Sequence, residues 1–216
     1  ILTFFMIRVK NKLDKRHKNK KNQWDKGKAK NGRSILFYMI GFLICWLPYI
    51  IIFYPGTMNM DSLFEIEQYL GKINWTTHHP ILPTIIFGTF MKIGSFYLSN
   101  DNLGLFLNNI FQIILGAFLL SYSIHYINQI TQSKKIKYGL FSFFAFFPIW
   151  PIHFYTEVKD VYFSMALLLY LIFSMKFVMQ KGKLEIKQWI VYVLSMIFVY
   201  LFRNNGVFIL LLSFPF

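Results

Sequence analysis

The sequence has few acidic residues and a single cysteine. Asp and Glu together number 9, against 23 Lys and Arg, and all charged residues make up only 15% of the 216 positions. The lone Cys45 excludes an intramolecular disulfide framework and a cysteine-based zinc site. So little charge, combined with 56% hydrophobic and 20% aromatic residues, is atypical of a soluble domain and favours an integral membrane protein.

Long uncharged runs make up most of the chain. Residues 35–54 contain no charge and are long enough to cross a hydrocarbon core. Further predicted spans are 102–127, 138–155, 161–175, 189–202 and a run that begins at 207. Residues 81–98 are interrupted by proline, glycine and lysine, and we interpret them as a helix in or dipping into the membrane interface. The predicted fold class is all-α, a polytopic transmembrane helix bundle with amphipathic interfacial helices on an outer loop.

The basic residues predict an orientation. Twelve Lys and Arg lie between residues 8 and 33, and seven more lie in 134–137 and 176–187. Because basic loops stay in the cytoplasm, these segments are predicted to be cytoplasmic. Residues 55–101 then form the first extracytoplasmic loop of a multi-pass cell-membrane protein. This clustering beside an apolar span indicates the lipid bilayer as a partner and argues against nucleic acid.

The expected organisation has two parts. Residues 1–34 are interpreted as the end of a preceding span followed by a basic cytoplasmic loop. Residues 35–216 are interpreted as a transmembrane domain, which we expect to be truncated because both ends of the sequence fall in apolar runs.

The outer loop contains an amphipathic helical pattern. Asp61, Glu65 and Gln68 are spaced to share one helical face, and Asp61 is expected at the N-cap or in the first turn. The opposite face would carry Leu63, Ile66 and Leu70. We predict a helix lying on the membrane with its carboxylates pointing away from lipid; a solvated face without function is the plainer alternative.

Two further groups of polar residues are predicted on the same side. His78 and His79 precede Pro80, the expected first residue of a helix, and suit either an anion site or an ordinary polar interface. Glu157 and Asp160 are expected one helical turn apart at the outer end of a span, with the lysine between them pointing elsewhere. Polar residues at such a boundary favour function.

The order of these motifs resembles the GT-C superfamily of membrane glycosyltransferases, which includes protein O-mannosyltransferases and lipid A aminoarabinose transferases. The motifs are YPGTMNMD after the first span, HHPILPTIIFGTF, then EVKD opening a later span, and FRNNG. The resemblance covers residue 38 to the C-terminus and points to a bacterial multi-span branch. One departure is Ser62, because the first acid of the superfamily is often followed by a second acid.

The resemblance implies transfer of a sugar from a polyprenyl-phosphate donor to a glycan, lipid or protein acceptor at the extracytoplasmic face. It also implies a set of site residues. These are Asp61 as the catalytic base; His78, His79 and Arg203 as binding residues for substrate or phosphate; and Glu157 and Asp160 as a second acidic motif. From their positions beside these residues, Asn204 and Asn205 are added as candidate binding residues, and Glu65 and Gln68 as supporting residues. A divalent cation, Mg²⁺ or Mn²⁺, would be held by Asp61, Glu157 and Asp160.

Two alternatives remain open from the residues. A transporter or flippase for lipid-linked saccharides would use the same polar groups to line a path, and Asn108, Asn109 and Gln112 would belong to it. A catalytically inactive GT-C relative would bind or assemble without chemistry.

Overall fold

The computed structural model describes residues 31–76 and 78–213, most of which are helical. Residues 1–30, which hold most of the predicted cytoplasmic loop, lie outside the described residues. In chain order the elements are α1 (Asn31–Ile52), β1 (Thr57–Met58), α2 (Met60–Tyr69), α3 (Ile81–Lys92, continued by a π-helical turn over Ile93–Tyr97), α4 (Asp101–Thr131), α5 (Lys134–Phe146), α6 (Ile149–Phe154), β2 (Thr156–Glu157), α7 (Lys159–Met179), α8 (Ile186–Phe202) and α9 (Gly206–Ser213).

Three helices are long and apolar enough to cross a membrane, namely Gly32–Ile52, Asp101–Thr131 and Lys159–Met179. Two shorter apolar helices are Ile81–Tyr97 and Ile186–Phe202. The all-α class is therefore confirmed, as are helices at most of the predicted spans. The number of crossings and the side on which each loop lies stay predictions.

The long helix α4 is the centre of the bundle, because α1, α3, α5 and α7 all pack against it. One hydrophobic core surrounds Trp46 of α1, which stacks on Phe42 and Phe154. The indole N–H of Trp46 donates to the carbonyl of Phe144 at 3.1 Å, so α1 is tied to α5. A second core joins α7 and α8 through the stacked rings of Tyr170 and Tyr192.

The predicted single helix over 138–155 is wrong. Helix α5 ends at Phe146 and α6 begins at Ile149. Pro148 causes the break, because proline has no N–H to donate and disfavours helical geometry in the residue before it. Phe147 is accordingly extended, with φ −79° and ψ 117°.

A short parallel ladder joins the segment after α1 to the segment before α7. Thr57 pairs with Thr156 and Met58 with Glu157, and the two threonine hydroxyls lie 2.9 Å apart. The hydroxyl of Ser62 on α2 also donates to the carbonyl of Glu157 at 2.6 Å. These bonds bring α2 beside the start of α7, although the two are about a hundred residues apart in sequence.

Helix α2 presents its polar face to the protein. Asn59 is its N-cap and accepts from the backbone N–H of Ser62 at 2.9 Å, which places Asp61 in the first turn. Glu65 and Gln68 are buried, at 0% and 2% exposure, whereas Leu63 is 38% exposed. The alternative of a fully solvated polar face is therefore wrong for Glu65 and Gln68, which the protein encloses. Asp61 stays 49% exposed, and Ile66 of the apolar face is buried at 3% exposure.

Candidate functional site

Four ionisable side chains from three parts of the chain form one cluster, which we call the acid–lysine cluster: Asp61, Glu65, His79 and Lys159. The ammonium of Lys159 lies 2.9 Å from Asp61 Oδ2 and 3.7 Å from Glu65 Oε1. His79 Nδ1 lies 3.3 Å from the same Glu65 oxygen. The lysine between Glu157 and Asp160 was predicted to point elsewhere, and in the structure it is directed to Asp61 and Glu65 as their shared cation.

Glu65 and Asp61 are electrostatically different although they share Lys159. Burial raises the pKa of Glu65 to about 7, and this outweighs the opposing effect of Lys159. The hydrogen bond from Lys159 lowers the pKa of Asp61, whose side chain is 49% exposed. Among the described residues, neither carboxylate oxygen of Glu65 has a hydrogen-bond donor. Glu65 is therefore the carboxyl of the pair whose pKa suits proton exchange near neutrality.

His79 connects the acid–lysine cluster to a cavity of about 440 Å³. The helix α3 that follows it has Pro80 as its N-cap, one residue from the predicted position. His79 is 8% exposed, and burial lowers the pKa of its imidazole. The ring of the exposed His78 stands at 84° to that of His79. Of the two histidines, His79 is the one that contacts Glu65 and lines the cavity.

Glu157 lies behind the cluster in a buried polar network. Its Oε2 accepts from Asn108 Nδ2 at 3.1 Å, and the hydroxyl of Tyr162 donates to Asn108 Oδ1 at 2.8 Å. Burial raises the pKa of Glu157 to about 8, and the amide of Asn108 only partly opposes this. Glu157 belongs to β2 and not to a helix, so the predicted helical spacing between Glu157 and Asp160 is wrong.

The other predicted residues have different surroundings. Asp160 forms an ion pair with Arg203, whose Nη1 lies 3.0 Å from Oδ1 with both side chains 46% exposed. Asn204 lines the cavity. Asn205 is exposed, and its carbonyl accepts from the N–H of Phe208 at 3.2 Å. The amide of Gln68 donates to the hydroxyl of Thr76 at 3.1 Å.

The carboxylates expected to hold a divalent cation are each engaged otherwise. Asp61 contacts Lys159, Asp160 contacts Arg203, and Glu157 accepts from an amide. Within the part of the chain that the structure describes, no three His, Cys, Asp or Glu side chains are grouped so as to hold a metal ion. Because carboxylates that bind Mg²⁺ or Mn²⁺ must be free to face the ion together, this arrangement does not fit such an ion.

Sequence reasoning missed Lys159, Trp75 and Tyr200. The aromatic pair lines the cavity with His79, and Lys159 lies at the centre of the cluster. The position of Lys159 between two acids of EVKD was visible, but its partner Asp61 lies 98 residues earlier. No local pattern indicates so distant a contact.

A family model described as a family of unknown function, DUF6020, matches residues 69–215. The matched segment contains His79, Glu157, Lys159 and Arg203, whereas Asp61 and Glu65 precede it. No curated protein and no solved structure matches the chain.

Proposed function

Because the chain belongs to DUF6020, a family of unknown function, we propose a function from its own residues: it is a membrane glycosyltransferase. It would move a sugar from a polyprenyl-phosphate donor to an acceptor hydroxyl at the extracytoplasmic face. The contact between buried Glu65 and His79, at the wall of a cavity, is the observation that carries this proposal. The order of the sequence motifs and the three membrane-length helices support it.

We assign the general base to Glu65 acting through His79, in place of Asp61. A base works best with a pKa near the operating pH, and the pKa of Glu65 is about 7. The pKa of Asp61 is lowered by Lys159, so Asp61 accepts a proton less readily. Asp61 has instead the role of holding the ammonium of Lys159 beside Glu65.

The proposed step uses one proton relay. The acceptor oxygen forms a bond to the anomeric carbon of the donor while the bond between that carbon and the phosphate oxygen breaks. The proton of the acceptor hydroxyl passes to His79, and the proton on Nδ1 of His79 passes to the Glu65 carboxylate 3.3 Å away. The polyprenyl phosphate leaves as an anion. Catalytic hydrogen bonds commonly shorten when substrate binds.

Arg203 is our candidate for contact with the donor phosphate. Its guanidinium suits two-point contact with phosphate oxygens. Its present partner Asp160 is 46% exposed, as Arg203 itself is, and an exposed ion pair contributes little free energy. A phosphate can therefore replace Asp160 at small cost.

The test is sugar transfer by the reconstituted chain with a panel of radiolabelled polyprenyl-phosphate sugars. General-base catalysis contributes about 10²–10⁴ in rate, so Glu65→Gln should lower turnover by at least about a hundredfold. Glu67→Gln is the matched control, since it makes the same change two residues along α2 at a partly exposed position. Normal turnover in Glu65→Gln would remove Glu65 from the mechanism. If the wild type transfers sugar from none of the donors, the proposed function is wrong, and the alternative of a catalytically inactive relative remains.

A second candidate function, transport of lipid-linked saccharides, is favoured by the buried polar side chains of α4. Asn108, Asn109 and Gln112 are all 0% exposed, and Gln112 Nε2 donates to Asn109 Oδ1 at 3.1 Å. Asn109 Nδ2 and Gln112 Oε1 have no hydrogen-bond partner among the described residues. A flipping assay in liposomes discriminates the two functions, because a transporter would move the lipid across the bilayer without cleaving its phosphate–sugar bond.

A further inference from the structure

The cavity beside His79 combines two half-exposed aromatic rings with a few polar groups. Trp75 and Tyr200 are 53% and 52% exposed and lie among its lining residues. His79, Thr76 and Asn204 supply polar atoms, and the remaining lining residues are apolar. Small-molecule sites typically have this composition, with an apolar wall and a small number of polar groups that fix orientation.

The cavity has no surplus positive charge. None of its described lining residues is a lysine, an arginine or an acid. Of the nearby cations, Lys159 is paired with Asp61 and Glu65, and Arg203, the proposed phosphate contact, is not among the lining residues. His79 contacts the carboxyl group of Glu65, so its imidazole does not add an unpaired positive charge. Anion sites normally concentrate unpaired positive charge or backbone N–H groups. The start of α3 lies at the wall through Pro80 and Ile81, but no charged lining side chain reinforces it, so the cavity favours a neutral ligand over a phosphate.

We infer that this cavity binds a neutral, hydroxyl-bearing ligand of the carbohydrate class, packed between Trp75 and Tyr200 with one hydroxyl at His79. Aromatic rings offer a large apolar face with little conformational freedom to lose, and the C–H face of a sugar ring packs on such a surface. The sugar hydroxyls require hydrogen-bond partners when water is displaced, and Thr76, His79 and Asn204 provide them. This inference rests on the proposed function only in naming that ligand as the acceptor.

Binding is tested with two probes on the full chain in phosphatidylcholine nanodiscs, followed by native mass spectrometry. Farnesyl β-glucoside is neutral and carries hydroxyls, whereas farnesyl phosphate has the same prenyl chain and a charged headgroup. We expect Trp75→Ala and Tyr200→Ala each to weaken glucoside binding by about tenfold, the scale of losing a well-packed aromatic contact. Farnesyl phosphate binding should stay unchanged in both variants.

Trp189→Ala is the matched control. Trp189 lies on α8, as Tyr200 does, and is 39% exposed, but it is not among the residues that line the cavity. Selective loss of farnesyl phosphate binding in the cavity variants would make the cavity an anion site and overturn the inference. If the cavity variants lose binding of both probes, the cavity holds the prenyl chain. If they lose binding of neither probe, the cavity binds no part of either molecule. Each of these results also overturns the inference. No donor is present, so a failure of sugar transfer would sink the proposed function without affecting this result.

Discussion

Replacing Lys159 by methionine should raise the pKa of Glu65 while leaving the fold intact. The substitution removes the ammonium 3.7 Å from Glu65 Oε1 and 2.9 Å from Asp61 Oδ2. At 3.7 Å and an effective dielectric constant of about 20, Coulomb's law gives about 4.5 kcal/mol, which is about three pKa units as an upper limit. We therefore expect the pKa of Glu65 to rise from about 7 by between about one and three units.

The fold should tolerate this change, because each acid has a way to avoid an unpaired buried charge. Asp61 is 49% exposed and stays solvated. Glu65 is fully buried and takes up a proton, which is the usual response of a buried carboxyl that loses its counter-charge.

Infrared titration of the protonated carboxyl stretch measures the change directly. The band of Glu65 is identified by its disappearance in Glu65→Gln, and its midpoint is then compared between the wild type and Lys159→Met. Lys72→Met serves as the control, since it removes an exposed lysine just after α2. An unchanged midpoint in Lys159→Met would refute the assigned electrostatics, as would an equal rise in Lys72→Met.

Two further predictions concern stability. Burial raises the pKa of Glu157 from 4.5 to about 8, so the folded protein holds a proton that the unfolded chain releases, and stability falls as pH rises through this interval. Glu157→Gln should remove a few kcal/mol of this pH dependence, because each unit of pKa shift corresponds to about 1.4 kcal/mol. The measurement is thermal unfolding in detergent at a series of pH values, and parallel curves of stability against pH for Glu157→Gln and the wild type would contradict the prediction. Gly56→Ala should destabilise more than Gly71→Ala: both have positive φ, but only at Gly56 would the new Cβ lie 2.0 Å from Asn109 Nδ2. Equal unfolding temperatures would contradict that contact.

The long helices were predictable because membrane-length apolar runs without charge leave few alternatives to a helix. The predicted helix at 35–54 corresponds to Asn31–Ile52, for example. The break at Pro148 was not predicted, although proline marks such breaks. The apolar run continues through it on both sides, and hydrophobicity alone does not show where the backbone hydrogen bonds stop.

The site was only partly predictable, for reasons that α2 illustrates. Helical spacing correctly put Asp61, Glu65 and Gln68 on one face, but it does not show what that face contacts. A polar face normally turns to water, whereas Glu65 here is buried against His79 and Lys159. Those contacts depend on tertiary packing between segments far apart in sequence. The predicted site residues therefore include Asp61, Glu65 and His79 of the acid–lysine cluster but not Lys159, its central cation.

The Asp61–Lys159 contact, which spans 98 residues, has a consequence for biosynthesis. A chain made from its N-terminus completes α2 long before Lys159 is synthesised, so any burial of Glu65 that precedes α7 takes place without the ammonium that later accompanies it. Burial without that counter-charge favours the protonated form of Glu65, because a neutral acid is far easier to bury than a charged one. Docking of α7 then supplies the ammonium that lowers the pKa of Glu65 again, so the charge state of this carboxyl depends on completion of the bundle.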